Sequence, residues 1–183
     1  MNFLKTPLSN CFVIEPNKIS DERGVFTRTF CKNEFRKIAF NKEFLQFNSS
    51  YNKKKGTLRG MHYQNSPYTE TKLIRCIQGA VLDVAVDLRE NSPTFLQHFK
   101  IELNEENMLS ILIPDGFAHG FQTLTDNSTM IYHHTQYYHP NADTGLRFDD
   151  PKLGINWKLP PIAVSEKDQS YKLIDNNFRG VTL

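Results

Sequence analysis

Apolar and polar residues alternate along much of the chain with a period of two, the spacing of a strand with one buried face. In residues 81–88, Val81, Asp83, Ala85 and Asp87 fall on one face and Leu82, Val84, Val86 and Leu88 on the other. Shorter stretches read the same way at residues 12–14, 25–30, 44–51, 72–77, 99–103, 108–113, 119–124 and 129–138. Phe26, Arg28 and Phe30 share a face in the second of these, and Gln46 and Asn48 share one in the third. Asn104-Glu105-Glu106-Asn107 lies between two strand-like runs and predicts a hairpin with a four-residue connection. Helical spacing occurs at residues 32–39, where Phe35 precedes Ile38 by three positions and Ala39 by four. After Pro140 the chain turns irregular. Asp149-Asp150-Pro151, the lone Trp157 and Pro160-Pro161 suggest a tail laid over the strands. Roughly nine or ten short strands with frequent turn signals predict an all-β sandwich or barrel with one short helix and an irregular C-terminal segment. Residues 1–183 read as a single domain.

The stretch Thr57-Leu58-Arg59-Gly60-Met61-His62-Tyr63 concentrates chemistry in one short element. Uninterrupted alternation puts Arg59, Met61 and Tyr63 on one face and Leu58, Gly60 and His62 on the other, unless Gly60 marks a bulge. A permanent cation and a titratable imidazole together suit a site that binds an anion and moves a proton. A core strand with a hydrogen-bonded histidine is the structural alternative.

Composition narrows the class. A hydrophobic share of 39% and a charged share of 23% describe a folded globular chain. A net charge of +2 gives no footprint for nucleic acid, and Lys53-Lys54-Lys55 reads as a solvated loop. Three cysteines without paired spacing suggest neither a disulfide framework nor a zinc site. No signal-peptide pattern or membrane-length apolar run occurs, so a cytoplasmic location with no membrane partner is expected.

Pro114-Asp115-Gly116-Phe117-Ala118-His119 has the Pro-x-Gly-x-x-His form of the second cupin motif. The first-motif region offers His62 followed by Tyr63-Gln64, without a second histidine two positions on, which argues against a metal. With these motifs the chain resembles the dTDP-4-dehydrorhamnose 3,5-epimerase family, metal-free cupins built as double-stranded β-helix jelly rolls. The resemblance is carried by Asp21-Glu22-Arg23-Gly24, by residues 56–64 and by Lys72-Leu73-Ile74-Arg75-Cys76. It continues through residues 83–89, Ser92-Pro93-Thr94, residues 113–121, Tyr132, Tyr138, Gly145, Asp149-Asp150-Pro151 and Ser165-Glu166-Lys167-Asp168.

The resemblance implies an isomerase that inverts C3 and C5 of a nucleotide-linked 4-keto sugar, of the dTDP-4-dehydrorhamnose type, without a cofactor. A 4-keto group acidifies both neighbouring C–H bonds, so the reaction needs a base, an acid on the opposite face and a cation or donor at the enolate oxygen. By resemblance the base is His62, oriented by Asp168; the acid is Tyr132; and Lys72 stabilises the enolate. Arg23 and Arg59 match diphosphate contacts, as guanidinium forks should. Gln46 and Asn48 match contacts to the nucleotide and phosphates, and Tyr138 the aromatic that stacks on the base. His119, Asp143 and Lys167 match further substrate positions, and Phe26 and Arg28 are expected at the nucleotide. A homodimer is implied, with the Arg23 strand exchanged into the partner's sheet.

Some positions depart from the family. Arg28 stands where a glutamate is usual, and a guanidinium cannot accept the thymine N3–H. Asp143 stands where the family more often has glutamate, and His133 and His134 where a lysine often follows the tyrosine. The alternatives are therefore a single-carbon epimerase acting on a GDP- or CDP-linked sugar, and a non-catalytic sugar-binding cupin.

Overall fold

The computed structural model describes residues 1–183. Its strands are β1 (Asn2–Lys5), β2 (Phe12–Glu15), β3 (Lys18–Asp21), β4 (Gly24–Thr27), β5 (Gln46–Asn52), β6 (Leu58–Gln64), β7 (Lys72–Gln78), β8 (Ala80–Asp87), β9 (His98–Asn104), β10 (Ser110–Ile113), β11 (Phe117–Thr123), β12 (Ser128–His134) and β13 (Asp143–Gly145). Two short helices, α1 (Lys32–Phe35) and α2 (Glu166–Ser170), complete the list. A six-stranded sheet runs β1-β2-β10-β7-β12-β5 and a five-stranded sheet β13-β6-β11-β8-β9, while β3 and β4 form a separate two-stranded ribbon. This is the expected all-β, cupin-type jelly roll.

Alternation explains how the two sheets divide their apolar residues. Inward residues such as Ile74, Cys76, Val81, Ala85, Leu103, Ile111 and Met130 meet in one cluster. The other face of β8, with Leu82, Val84, Val86 and Leu88, packs under Leu146, Leu153, Ile174 and Val181 of the C-terminal segment. That segment is the tail the sequence suggested, tied down by Asp150, whose carboxylate accepts from the N–H of Ile174 at 2.5 Å. The outer face of the six-stranded sheet meets α1 through Ile14, Phe35, Leu73 and Leu112, with Phe3, Phe30, Phe40 and Phe44 around them.

Several expectations are corrected. The predicted hairpin does not form: β9 pairs with β8, and β10 lies between β2 and β7 in the other sheet. Leu103 and Ile111 both point into the space between the sheets, so the chain must cross from one sheet to the other. Asn104 and Asn107 build that corner, their side-chain carbonyls accepting from the N–H groups of Asn107, at 2.7 Å, and Leu109, at 3.0 Å. The helix over 32–39 becomes one α turn followed by a 3-10 turn, closed by Ala39 at φ 59°. A second helix, α2, stands where one was expected in all, and β13 interrupts the irregular C-terminal part. The strand over 25–30 ends at Thr27, so Phe26 and Arg28 do not continue along one strand face.

Candidate active site

A cavity of about 290 Å³ opens between the two sheets, lined among others by Asn48, Arg59, His62, Lys72, His119 and Tyr132. Uninterrupted alternation would put Arg59 and His62 on opposite faces of one strand, and the exception named for it, a bulge at Gly60, is what forms. The register of β6 against β11 runs His62↔His119 and then Arg59↔Phe121, so Gly60 and Met61 together face Gly120. One extra residue inverts the phase of alternation. Arg59 and His62 therefore both reach the cavity, while Met61 turns into the outer core. The bulge needs glycine on both strands: a Cβ on Gly60 would lie 2.5 Å from Gly120 Cα, and Gly60 sits at φ +124°.

His62 is held from behind. Its Nε2 lies 2.7 Å from Asp168 Oδ1, and the other Asp168 oxygen accepts from the Gly60 N–H at 3.1 Å. Asp168 sits in the first turn of α2, fixed where Ser165 Oγ accepts from its N–H at 3.0 Å. Burial alone would raise the Asp168 carboxyl; the hydrogen bond and charge of His62 and the Gly60 N–H outweigh it, and the carboxyl titrates below its ordinary value. The carboxylate is thus ionised near neutral pH, with one imidazole nitrogen committed to it.

The facing sheet supplies Tyr132 and Lys72. Burial raises the Tyr132 phenol above its ordinary value and the Asp83 carboxylate adds to the rise, while Arg59 and Ser50 offset part of it. The phenol therefore keeps its proton. The Lys72 ammonium lies 3.2 Å from Glu70 Oε1. His119 Nε2 lies 2.8 Å from Asp83 Oδ2, and the His119 ring meets Tyr132 edge-on at 5.9 Å between centroids. Arg59 donates from Nε to Asn52 Oδ1 at 2.8 Å, which aims the guanidinium.

A second group of expected residues gathers at the rim. Gln46 donates to Asn48 Oδ1 at 3.3 Å and accepts from the Tyr138 N–H at 3.1 Å. Asp143 Oδ2 accepts from the Tyr138 hydroxyl at 3.1 Å and pairs with the Lys167 ammonium. That carboxylate raises both the Tyr138 phenol and the Lys167 ammonium above their ordinary values. Tyr138 lies beyond β12, not on the strand expected to run to it.

A third group stands apart. Arg23 and Phe26 sit on the β3–β4 ribbon and line no part of the cavity; Arg23 pairs with Asp21, and Phe26 is 70% exposed. Arg28 turns to Glu34, with Nη1 2.9 Å from Oε1. The expected place for Arg28 at the nucleotide is not reached within this chain.

Asp83 and Glu70 had no assigned role in the sequence. Asp83 is fully buried, and its Oδ1 has no hydrogen-bond partner. A carboxylate in the midst of the apolar run of β8 was the available signal. No group of three or more His, Cys, Asp or Glu side chains is arranged to hold a metal, and His62 and His119 are each committed to a carboxylate.

Comparison with known proteins identifies relatives of the whole chain. The family model for dTDP-4-dehydrorhamnose 3,5-epimerase matches residues 5–176. A relative of that name from Methanothermobacter thermautotrophicus is 41% identical over 178 residues, covering 96% of this chain and 95% of its own. The crystal structure of dTDP-4-dehydrorhamnose 3,5-epimerase from Elizabethkingia anophelis superposes with a TM-score of 0.92 at 39% identity, covering 97% of this chain and 98% of that one. A dTDP-6-deoxy-D-glucose-3,5-epimerase from Legionella pneumophila, in complex with dTDP-4-keto-L-rhamnose, gives 0.91 at 38% identity, covering 98% of this chain and 97% of its own.

Proposed function

The chain belongs to the dTDP-4-dehydrorhamnose 3,5-epimerase family, and from that premise we propose that it inverts C3 and C5 of a dTDP-linked 4-keto-6-deoxy sugar. The observation that carries the reading is the His62–Asp168 pair, set in one sheet against Tyr132 and Lys72 of the other around a single cavity. His62 takes the proton from the carbon next to the ketone, and Asp168 holds the imidazole and balances the imidazolium. Lys72 stands at the enolate oxygen, where negative charge grows. Tyr132, whose phenol burial keeps protonated, returns a proton from the opposite face. Arg59, Asn48 and His119 border the same space, and the rim group of Gln46, Tyr138, Asp143 and Lys167 suits the nucleotide end.

The partner arrangement belongs to the same proposal. Ile19 and Phe26 on the ribbon are 65% and 70% exposed, and Phe47 and Tyr51 on β5 are 66% and 52% exposed. Apolar area of that kind on an edge strand and a free ribbon suits a second copy of the chain. We read the assembly as a homodimer in which the ribbon brings Arg23 to the partner's cavity, with residues 1–183 acting as one unit. No helix is long and apolar enough to cross a membrane.

Turnover of the dTDP-4-keto-6-deoxy sugar in deuterated water tests the reading. Deuterium at both C3 and C5 is the expected result. Label at one carbon makes the protein a single-site epimerase, and label at neither, with the sugar bound, makes it a binding protein.

A further inference from the structure

Glu70 lies just ahead of β7 and His134 at the end of β12, and the strands bring their side chains together on the Lys72 side of the cavity. Glu70 divides its two oxygens: Oε1 is 3.2 Å from Lys72 Nζ and Oε2 is 2.7 Å from His134 Nδ1. On the far side of the imidazole, His134 Nε2 is 3.2 Å from Asn48 Nδ2, and Asn48 Oδ1 accepts from Gln46 Nε2 at 3.3 Å. The His134 ring also lies nearly parallel to Tyr132, with 6.0 Å between centroids and 20° between planes. Lys72 and His134 are each 8% exposed and Asn48 is exposed, so the string runs from a closed end at the lysine to an open end at the amide.

We propose that Glu70 and His134 are positioning residues of this site: Glu70 anchors the Lys72 ammonium, and His134, held as the neutral Nδ1–H tautomer, fixes which way the Asn48 amide faces. The inference rests on the proposed epimerase reading and deepens it.

The donor and acceptor types leave one consistent arrangement. A carboxylate oxygen only accepts, so Nδ1 must carry the proton it donates to Glu70. An amide nitrogen only donates, so Nε2 must be bare to accept from Asn48. Glu70 has to be ionised for this. Burial pushes its carboxyl up, and the charge of Lys72, 3.2 Å away, is the largest of the influences that hold it below its ordinary value. Asn48 then spends its NH₂ on His134 and its carbonyl on Gln46. A doubly protonated His134 would donate from both nitrogens and force the Asn48 amide to turn over, breaking the Gln46 contact. Glu70 thus sets the lysine directly and the asparagine through one imidazole.

The two arms predict different kinetics. Glu70→Gln keeps the shape but removes the charge that holds Lys72, so kcat and kcat/KM should fall together, by on the order of 10–10²-fold for a displaced transition-state group. His134→Phe keeps a ring against Tyr132 and removes both hydrogen bonds, so KM for the nucleotide sugar should rise up to roughly tenfold with kcat nearly unchanged. Histidine ¹⁵N NMR of the wild type should show a protonated Nδ1 and a bare, pyridine-type Nε2 at His134, and this readout needs no variant to fold. Wild-type kcat and KM in both variants, or a protonated Nε2 at neutral pH, overturns the inference. A wild type that exchanges no substrate proton overturns the epimerase reading and this inference together, whereas active wild type with unmoved variants overturns this inference alone.

Discussion

Along β7 and β12 the inward residues pair directly across the sheet, Met130 with Cys76, Tyr132 with Ile74 and His134 with Lys72. Met130 and Cys76 are fully buried in the apolar cluster, while Lys72 and His134 border the cavity. Four residues of strand, about 14 Å, thus separate a dry end of the barrel interior from a charged one. At the dry end stability comes from filled volume. At the charged end it comes from pairing: Asp83 and Asp168 are buried, Glu70 is half-buried, and each holds a histidine. The difference teaches how a cavity survives inside a β-barrel. The dry end fixes the strands, and the paired charges resist closure of the other end.

The largest expected effect breaks this comparison at the charged end. His62→Ala should lower turnover by about 10²–10⁴-fold, the usual contribution of a general base, and should also lower the melting temperature by leaving the buried Asp168 carboxylate without its histidine. Near-normal turnover would remove His62 from the reaction. Tyr132→Phe should leave solvent exchange on the His62 face intact and reduce net inversion by a comparable factor. Inversion at the wild-type rate would assign the acid to another group.

The dry end should respond the other way. Met130→Ala removes a fully buried side chain from the inter-sheet cluster and should destabilise the fold by about 2–5 kcal/mol, read by denaturant unfolding. At temperatures where the variant is folded, KM should stay near the wild-type value. A large KM change with unaltered stability would show that the two ends are not mechanically separate.

Much of this division was legible in the sequence. The faces of β8 were separated correctly, because uninterrupted alternation with both faces buried leaves no freedom of phase. The phase of β6 stayed open: Gly60 marked where a bulge would fall, but whether it forms depends on the backbone approach of Gly120 from a strand some sixty residues away. The hairpin between β9 and β10 looked plausible because a short polar connection fits a tight turn and a crossover between sheets equally well; tertiary burial decided it. The order of motifs located His62, Lys72, Tyr132 and Asp168, whereas the Glu70–His134 contact joins positions 64 apart and has no local signature.

Acid should sharpen the comparison with a smaller effect. The Asp168 carboxyl titrates below its ordinary value of 3.8 when folded. A depressed folded value contributes stability above 3.8 that is lost as the pH falls through the folded value. Asp168→Asn should therefore melt below the wild type at neutral pH, with the gap narrowing as the pH drops under 3.8. Met130→Ala carries no titrating group, so its deficit should not close in that window. A gap for Asp168→Asn that is constant with pH would mean that the ionised His62–Asp168 pair does not stabilise the charged end.

The smallest effect is expected outside the barrel, at Arg28. A cation there suggested a base edge rich in acceptors in place of thymine, on the premise that Phe26 and Arg28 share a strand face. The strand ends at Thr27, and the guanidinium is bound to Glu34 of α1, an exposed ion pair on the 64% exposed Arg28 side chain. Arg28 is thus engaged away from the cavity, and its identity should not select the nucleotide. The test is a set of affinities for dTDP, GDP, CDP and UDP on the wild type and on Arg28→Ala. Wild-type protein should bind dTDP tightest, and the substitution should move every affinity by no more than about twofold, as for a screened surface pair, with the ranking preserved. If GDP or CDP binds the wild type more tightly and loses that lead in Arg28→Ala, then Arg28 leaves Glu34 in the assembled protein and reads the base. The ribbon side of the site would then be where this chain departs from its relatives, with the His62 and Tyr132 chemistry unchanged.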